Sequence, residues 1–203
     1  MTVDESIITA VMRGEALEQL ESPAKSMREM FGVHLFSEKS CTLQEVILSG
    51  LRGQGKTLAA AESCTGGRVG AFLTGVSGAS DVFCGGIIAY CNTVKKDLLG
   101  VSADTLSSFG AVSTETAGEM ARGISAALHA DVGVGVTGIA GPGGGTSEKP
   151  VGTVCFGLFT DAGTVTEKRT FHGDRRVVQD RAAKYGLFMI HKYLLYPGKK
   201  SLR

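Results

Sequence analysis

Apolar positions along the chain change rhythm several times, and each change marks an element. Around Leu43, Val46, Ile47, Leu48 and Leu51 they recur three and four apart, the period of a helix with one buried face. Thr42 precedes that run with Glu45 three residues later, a capping-box signature, and Gly53 or Gly55 ends the helix. Thr57–Glu62 reads as a short buried strand. It runs directly into Ser63-Cys64-Thr65-Gly66-Gly67, where a helix reaching to about Thr74 is expected to start. Phe83–Tyr90 reads as a second strand, Asn92–Leu99 as a short helix closed by Gly100, and Thr105–Phe109 as a further helical turn. Ser113, with Thr116 three residues on, is an N-cap for a helix over Thr114–His129. Asp131–Thr137 is a strand with small residues on one side, and a Gly/Pro loop over Gly138–Lys149 follows it. Val151–Thr160 and Thr164–Phe171 pair as antiparallel strands through Asp161-Ala162-Gly163, and Arg175–Leu195 is a long final helix.

Residues 1–40 depart from this pattern. Thr2–Leu20 reads as a short helix with Ile7, Ile8, Val11 and Met12 on one side, broken by Ser22-Pro23, and Val33–Phe36 reads as a short strand. This stretch has no Gly-rich motif and is taken as an extension or linker remnant ahead of one domain over residues 41–203. Strands alternating with helices, plus one antiparallel pair, give an α/β fold. The expected form is a layered sandwich with helices packed on a mixed, partly parallel β-sheet.

Composition narrows the function classes. At 203 residues the chain holds one domain with a sizeable core but not two full enzyme domains. A formal net charge of +1 gives no basic excess with which to grip a nucleic-acid backbone, so no nucleic-acid partner is expected; a small anionic ligand needs only a few local cations and amides. Five cysteines without a CxxC pair fit neither a zinc site nor a disulfide framework, which points to a reducing cytoplasm. The four scattered histidines form no HxH or HExxH, so no metal and no cofactor is expected. No signal-peptide core and no run of about 18 uncharged apolar residues is present, so no membrane span is expected.

Four stretches carry candidate chemistry. Ser63 ends a buried strand ahead of a helix start, which places its hydroxyl at the sheet's C-terminal edge, where the Thr65, Gly66 and Gly67 amides are candidates for holding an oxyanion or phosphate. A serine there equally serves as a helix cap, and Cys64 is a rival nucleophile. Tyr90 closes the second strand and Lys95 lies one helical turn later; desolvated, such a lysine acts as a general base toward a serine, and solvated it is only a surface cation. Thr137-Gly138-Ile139-Ala140-Gly141 opens a Gly-rich loop after a buried strand, suited to backbone contact with a ribose or phosphate, and it is neither a Walker motif nor a dinucleotide fingerprint. Asp174 is a good N-cap for the last helix, and Arg175 beside it either reaches an anionic group or faces solvent.

Together the stretches 61–67 (AESCTGG), 85–95 (GG-II-AYCN--K), 110–117 (GAVS-E-A), 136–144 (VTGIAGP-GG), 148–154 (EKPVGTV) and 173–175 (GDR) resemble, in order, the C-terminal domain of the CinA competence/damage-inducible family. The resemblance covers roughly residues 42–195, and Arg28–Glu45 is similar to the region joining the two domains of longer members. It implies a hydrolase that deamidates nicotinamide mononucleotide to nicotinic acid mononucleotide and ammonia. Ser63 is then the nucleophile, Lys95 its base and the donor to departing ammonia, and Tyr90 a residue orienting that pair. Asn92, Thr137, Gly138, Ile139, Ala140, Gly141 and Arg175 would bind substrate, and a homodimer is expected. The chain departs from the family's usual pattern at Cys91 (commonly Ser), Gly143 (Asp), Cys155 (Trp) and Gln179 (Arg). Those departures keep open a second reading, a non-catalytic nucleotide-binding or protein-interaction module linked to competence or DNA damage.

Overall fold

The computed structural model describes residues 2–4, 7–13 and 17–196. Its first elements differ from the expected helix over Thr2–Leu20. Strands β1 (Thr2–Asp4) and β2 (Ile7–Thr9) pair antiparallel with Val3 opposite Ile8, and helix α1 (Leu17–Phe31) starts near where the expected helix ends; residues 5, 6 and 14–16 of that stretch lie outside the described residues. Thr2, Val3, Ile7, Ile8 and Thr9 are β-branched, and such residues fit extended backbone better than a helix. In α1 the half-buried Leu20, Ala24 and Met27 form the apolar face. Pro23 lies inside α1 rather than ending it, so the helix forgoes one N–H donor. A 3-10 turn over Gly32–His34 replaces the strand expected at Val33–Phe36. Side chains rather than a backbone ladder fasten that segment: His34 stacks on Phe188 with ring centroids 5.0 Å apart, and Phe36 meets His191 edge-on at 6.5 Å.

From residue 42 onward the expected elements appear in order. Helix α2 (Leu43–Gly53) starts on the full Thr42–Glu45 capping box. It leads to β3 (Leu58–Glu62), α3 (Arg68–Thr74), β4 (Phe83–Ile88), α4 (Asn92–Leu99), α5 (Ala103–Ser108) and α6 (Thr114–Leu128). Strands β5 (Val132–Gly138), β6 (Thr153–Thr160) and β7 (Gly163–Thr170) and helix α7 (Arg175–Leu195) complete the domain. The helix expected to start among residues 63–67 begins only at Arg68, because Gly67 caps it in the left-handed region (φ 96°).

The sheet runs β4-β3-β5-β6-β7. β3 is parallel to both β4 and β5, whereas β5–β6 and β6–β7 are antiparallel, so the sheet is mixed and partly parallel. Alternate residues of β3, β5 and β6 (Leu58, Ala60, Val134, Val136, Phe156, Leu158) pack beneath α2, α3 and α7 in the larger core. Ala59 and Ala61 face the opposite way, against Met120 and Ile124 of α6 and Leu99 of α4. All five β3 residues are therefore buried, as expected of a central strand covered on both sides.

Glycines set how closely α6 lies. A Cβ at Gly135 would sit 2.4 Å from the Ala117 carbonyl oxygen, and one at Gly157 2.3 Å from the same atom. The small side of β5 is thus a seat for a helix backbone.

This topology opens a crevice. The connection leaving β3 passes over one face through α3, and the connection leaving β4 passes over the other through α4 and α6. Adjacent parallel strands whose connections diverge in this way leave a gap beyond their C-terminal ends, where ligands bind in open α/β sheets.

Candidate active site

The gap is occupied by a cleft of about 210 Å³, lined by Ser63, Cys64, Tyr90, Asn92, Lys95, Ala111, Val112, Thr137, Gly138, Ala140 and Arg175. Three parallel strand ends deliver it: Ser63 follows β3, Tyr90 follows β4, and Thr137 and Gly138 close β5. The fold brings Ser63, Lys95, Tyr90, Asn92, Thr137, Gly138, Ala140 and Arg175 together from segments more than 100 residues apart.

Lys95 is the feature that sets this cleft apart from a surface groove. It is 1% exposed, and its Nζ lies 3.1 Å from Ser63 Oγ and donates to the Ala89 carbonyl oxygen at 2.6 Å. Among the described residues no carboxylate pairs with it. Burial therefore holds its pKa below the ordinary lysine value, and the neutral amine becomes accessible. The solvated-lysine alternative does not hold for a side chain this enclosed. Cys64 is also buried, but burial pushes its thiol up to about 12, so it carries no thiolate near neutral pH. Of the two nucleophile candidates, only Ser63 has a base in contact.

The turn after β3 is held at four points. The Ser63 amide donates to the Val136 carbonyl (2.8 Å), and the Gly66 amide donates to the Ser63 carbonyl (3.2 Å). Gln179 Nε2 donates to the Cys64 carbonyl (2.7 Å). Glu62, 3% exposed, accepts the Gly67 and Val69 amides on Oε2 (2.9 and 3.1 Å) and the Gly70 amide on Oε1 (2.9 Å). The Gly66 and Gly67 amides are therefore already occupied. Thr65, Gly66, Gly67, Ile139 and Gly141 do not line the cleft. Ile139 instead continues the ladder, donating to the Thr153 carbonyl and accepting from Gly152.

The mouth is built differently from the floor. Arg175 Nη1 donates to the Gly141 carbonyl (2.7 Å) and Nη2 to the Tyr90 hydroxyl (2.8 Å), so it spans the cleft from the Gly-rich loop to the end of β4. The Tyr90 hydroxyl thus meets Arg175, not Ser63 or Lys95. Thr137 Oγ1 donates to the Ala111 carbonyl (2.7 Å) and draws the 110–113 turn over the cleft. Tyr90, Asn92 and Arg175 are exposed, while Ser63, Cys64, Lys95, Thr137 and Ala140 are buried. Charge and hydrogen-bonding capacity at the rim surround the buried Ser63–Lys95 pair below.

The CinA C-terminal domain family matches residues 40–194. The chain belongs to the CinA family. A CinA-like protein of Kosmotoga olearia is 46% identical over 171 residues, and one of Thermotoga maritima 44% over 177; these stretches are 84% and 87% of this chain but 42% and 43% of those proteins. The chain thus spans less than half the length of the curated relatives it matches. Among solved structures, the competence/damage-inducible protein CihA of Agrobacterium tumefaciens superposes with a TM-score of 0.70 at 39% identity, covering 72% of this chain and 90% of that one. A competence or damage-inducible protein of Enterobacter asburiae gives 0.72 at 34% identity, over 75% and 96%.

The departures from the CinA pattern fall in distinct places. Gln179 is 8% exposed and holds the turn behind Ser63. Arg181 donates to the His172 carbonyl, and Arg176 lies 3.8 Å from Asp180, so neither faces the cleft as a substitute cation. At Gly143 nothing lies within 4 Å of where a Cβ would sit, so the loop has room there for a side chain it lacks. The roles of Glu62, Gln179 and the Ala111–Val112 turn were not read from the sequence. For Glu62 a signal existed, an acid just before a helix start; the Gln179 contact spans 115 residues and leaves none. Among the described residues, no group of three His, Cys, Asp or Glu side chains is placed to hold a metal, and no helix is long and apolar enough to cross a membrane.

Proposed function

We propose that the chain is a serine amidohydrolase acting on the carboxamide of nicotinamide mononucleotide. The observation that carries this reading is the buried Lys95 amine 3.1 Å from Ser63 Oγ, with no counter-ion among the described residues. Neutral Lys95 takes the Ser63 proton as Oγ attacks the amide carbon. The resulting oxyanion is received by the amide of Cys64, which lines the cleft and which no other residue uses as a donor among the described contacts, and Lys95 returns the proton to the departing ammonia. A water molecule then attacks the Ser63 ester, Lys95 takes its proton, and the acid leaves as Ser63 Oγ is reprotonated. The sum is amide plus water giving carboxylic acid plus ammonia.

The layout supports this substrate class. A cleft of about 210 Å³ suits the reacting end of a nucleotide rather than the whole molecule. The pyridine carboxamide fits the buried floor, leaving ribose and phosphate to run toward Arg175, Asn92 and the Gly138–Gly141 backbone at the rim. A pyridinium ring beside Lys95 also disfavours the protonated lysine, since like charges repel, and so favours the form that works as a base.

The deciding experiment is ammonia release from nicotinamide mononucleotide by the chain and by Ser63→Ala. Release by the first and not the second supports both the reaction and its nucleophile. Mononucleotide binding without release by either would favour the non-catalytic module instead.

A further inference from the structure

We propose that Glu62 is the positioning residue of the nucleophile turn, holding Ser63 in reach of Lys95 by gathering the first amides of α3 onto its carboxylate. The proposal rests on the amidohydrolase reading of the same cleft. Glu62 is the last residue of β3 and directly precedes Ser63. A glutamate at the end of a central, fully covered strand is an unusual burial: it is 3% exposed, and among the described residues no Lys, Arg or His lies in hydrogen-bond contact with it. What compensates it is backbone. Three N–H groups, of Gly67, Val69 and Gly70, converge on its two oxygens at 2.9–3.1 Å, the donors that a helix start leaves without intrahelical partners.

The consequence is geometric. Strand end and helix start are clamped to one side chain, so residues 63–66 must make their whole reversal within the span between the Glu62 backbone and its own carboxylate. Gly67 in the left-handed region and the Gly66-to-Ser63 hydrogen bond complete the loop. Ser63 is the first residue of that closed ring, and its hydroxyl meets Lys95 on α4. The carboxylate also occupies the helix-start amides that a ligand anion would otherwise use.

Glu62→Gln tests this with little change of shape. The amide keeps one acceptor oxygen but turns an N–H₂ toward at least one backbone N–H, so the three-donor clamp cannot close. Two readouts are made on wild type, Glu62→Gln, Ser63→Ala and Thr42→Ala: steady-state ammonia release from nicotinamide mononucleotide, and the rate at which a fluorophosphonate labels Ser63, located by mass spectrometry. Thr42→Ala removes the α2 capping box far from the cleft and serves as a control for lost stability alone.

The expected result for Glu62→Gln is a fall in kcat of roughly 100-fold, as small misplacements of reacting groups produce, with KM held and Ser63 labelling slowed in parallel. The pH at which activity rises stays where wild type has it, because Lys95 keeps its burial. Thr42→Ala lowers the melting temperature and keeps kcat. Glu62→Gln with wild-type kcat and labelling, or with a loss matched by Thr42→Ala at equal destabilisation, overturns the proposal while leaving the amidohydrolase reading intact. Wild type that neither releases ammonia nor labels at Ser63 overturns that reading, and this proposal with it.

Discussion

Lys95 and Ser63 meet across 32 residues of chain, one on the helix after an edge strand and the other at the tip of the central strand, with 3.1 Å between amine and hydroxyl. Among the described residues neither has another ionisable partner at that distance. A buried lysine without a counter-ion is costly to a fold, and here its amine is directed at a hydroxyl in the floor of the cleft.

The pH dependence follows from that burial. The pKa of Lys95 is lowered from 10.5 in the folded chain, so the neutral base is populated above the lowered value and lost as pH falls through it. The kcat/KM profile is expected to rise with pH along a limb that ends below 10.5, and Lys95→Met to lack activity at every pH. Stability carries the same signature. Between the folded pKa and 10.5 the unfolded chain binds the extra proton, so stability rises with pH across that window. Denaturant melts across the alkaline range should show this slope for wild type and a flatter one for Lys95→Met.

Arg175 is expected to act on binding. Its two hydrogen bonds, to Gly141 and Tyr90, need the forked guanidinium, so Arg175→Lys should not restore what Arg175→Ala removes. Loss of a charged contact worth about 2 kcal/mol corresponds to a rise in KM of roughly 30-fold. Steady-state kinetics of both variants check this.

Tyr90→Phe separates two roles for that ring. Its hydroxyl is bonded to Arg175, so the expected outcome is a higher KM with kcat retained. A fall in kcat at constant KM would instead place Tyr90 with the Ser63–Lys95 pair.

Gln179→Ala should destabilise the fold as well as slow turnover. It leaves the Cys64 carbonyl, next to Ser63, without the donor seen at 2.7 Å, and an unpaired buried acceptor costs about 1–3 kcal/mol. A lower urea midpoint with an unchanged slope is the signature to look for.

Gly135→Ala checks the layering of the fold. Its Cβ would lie 2.4 Å from the Ala117 carbonyl oxygen, so α6 must lift from the sheet, at a cost of about 1–3 kcal/mol measured by thermal melting.

Much of this molecule is legible from residue order alone. The capping box at Thr42–Glu45, the Ser113 cap, the buried run Leu58–Ala61 and the glycine-lined β5 each follow from local chemistry, because caps and periodicity act over a few residues. The strand-end positions of Ser63, Tyr90 and Thr137 come from the same reading. Among the described residues of 2–36 the elements differ from the expected ones, because β-branched residues there take extended backbone and helix α1 accommodates Pro23.

Tertiary structure decided the rest. Whether Lys95 is a solvated cation or a buried base depends on what covers it, and that cover comes from segments distant in the chain. Residue order does not say that Arg175 bridges Gly141 and Tyr90, that Gln179 braces Cys64, or that Glu62 has taken the Gly67 amide. Local sequence sets where the chain turns and which groups sit at strand ends. Desolvation and hydrogen-bond partnership, which turn those groups into a site, arise only when the parallel strands β4, β3 and β5 bring their ends to one crevice.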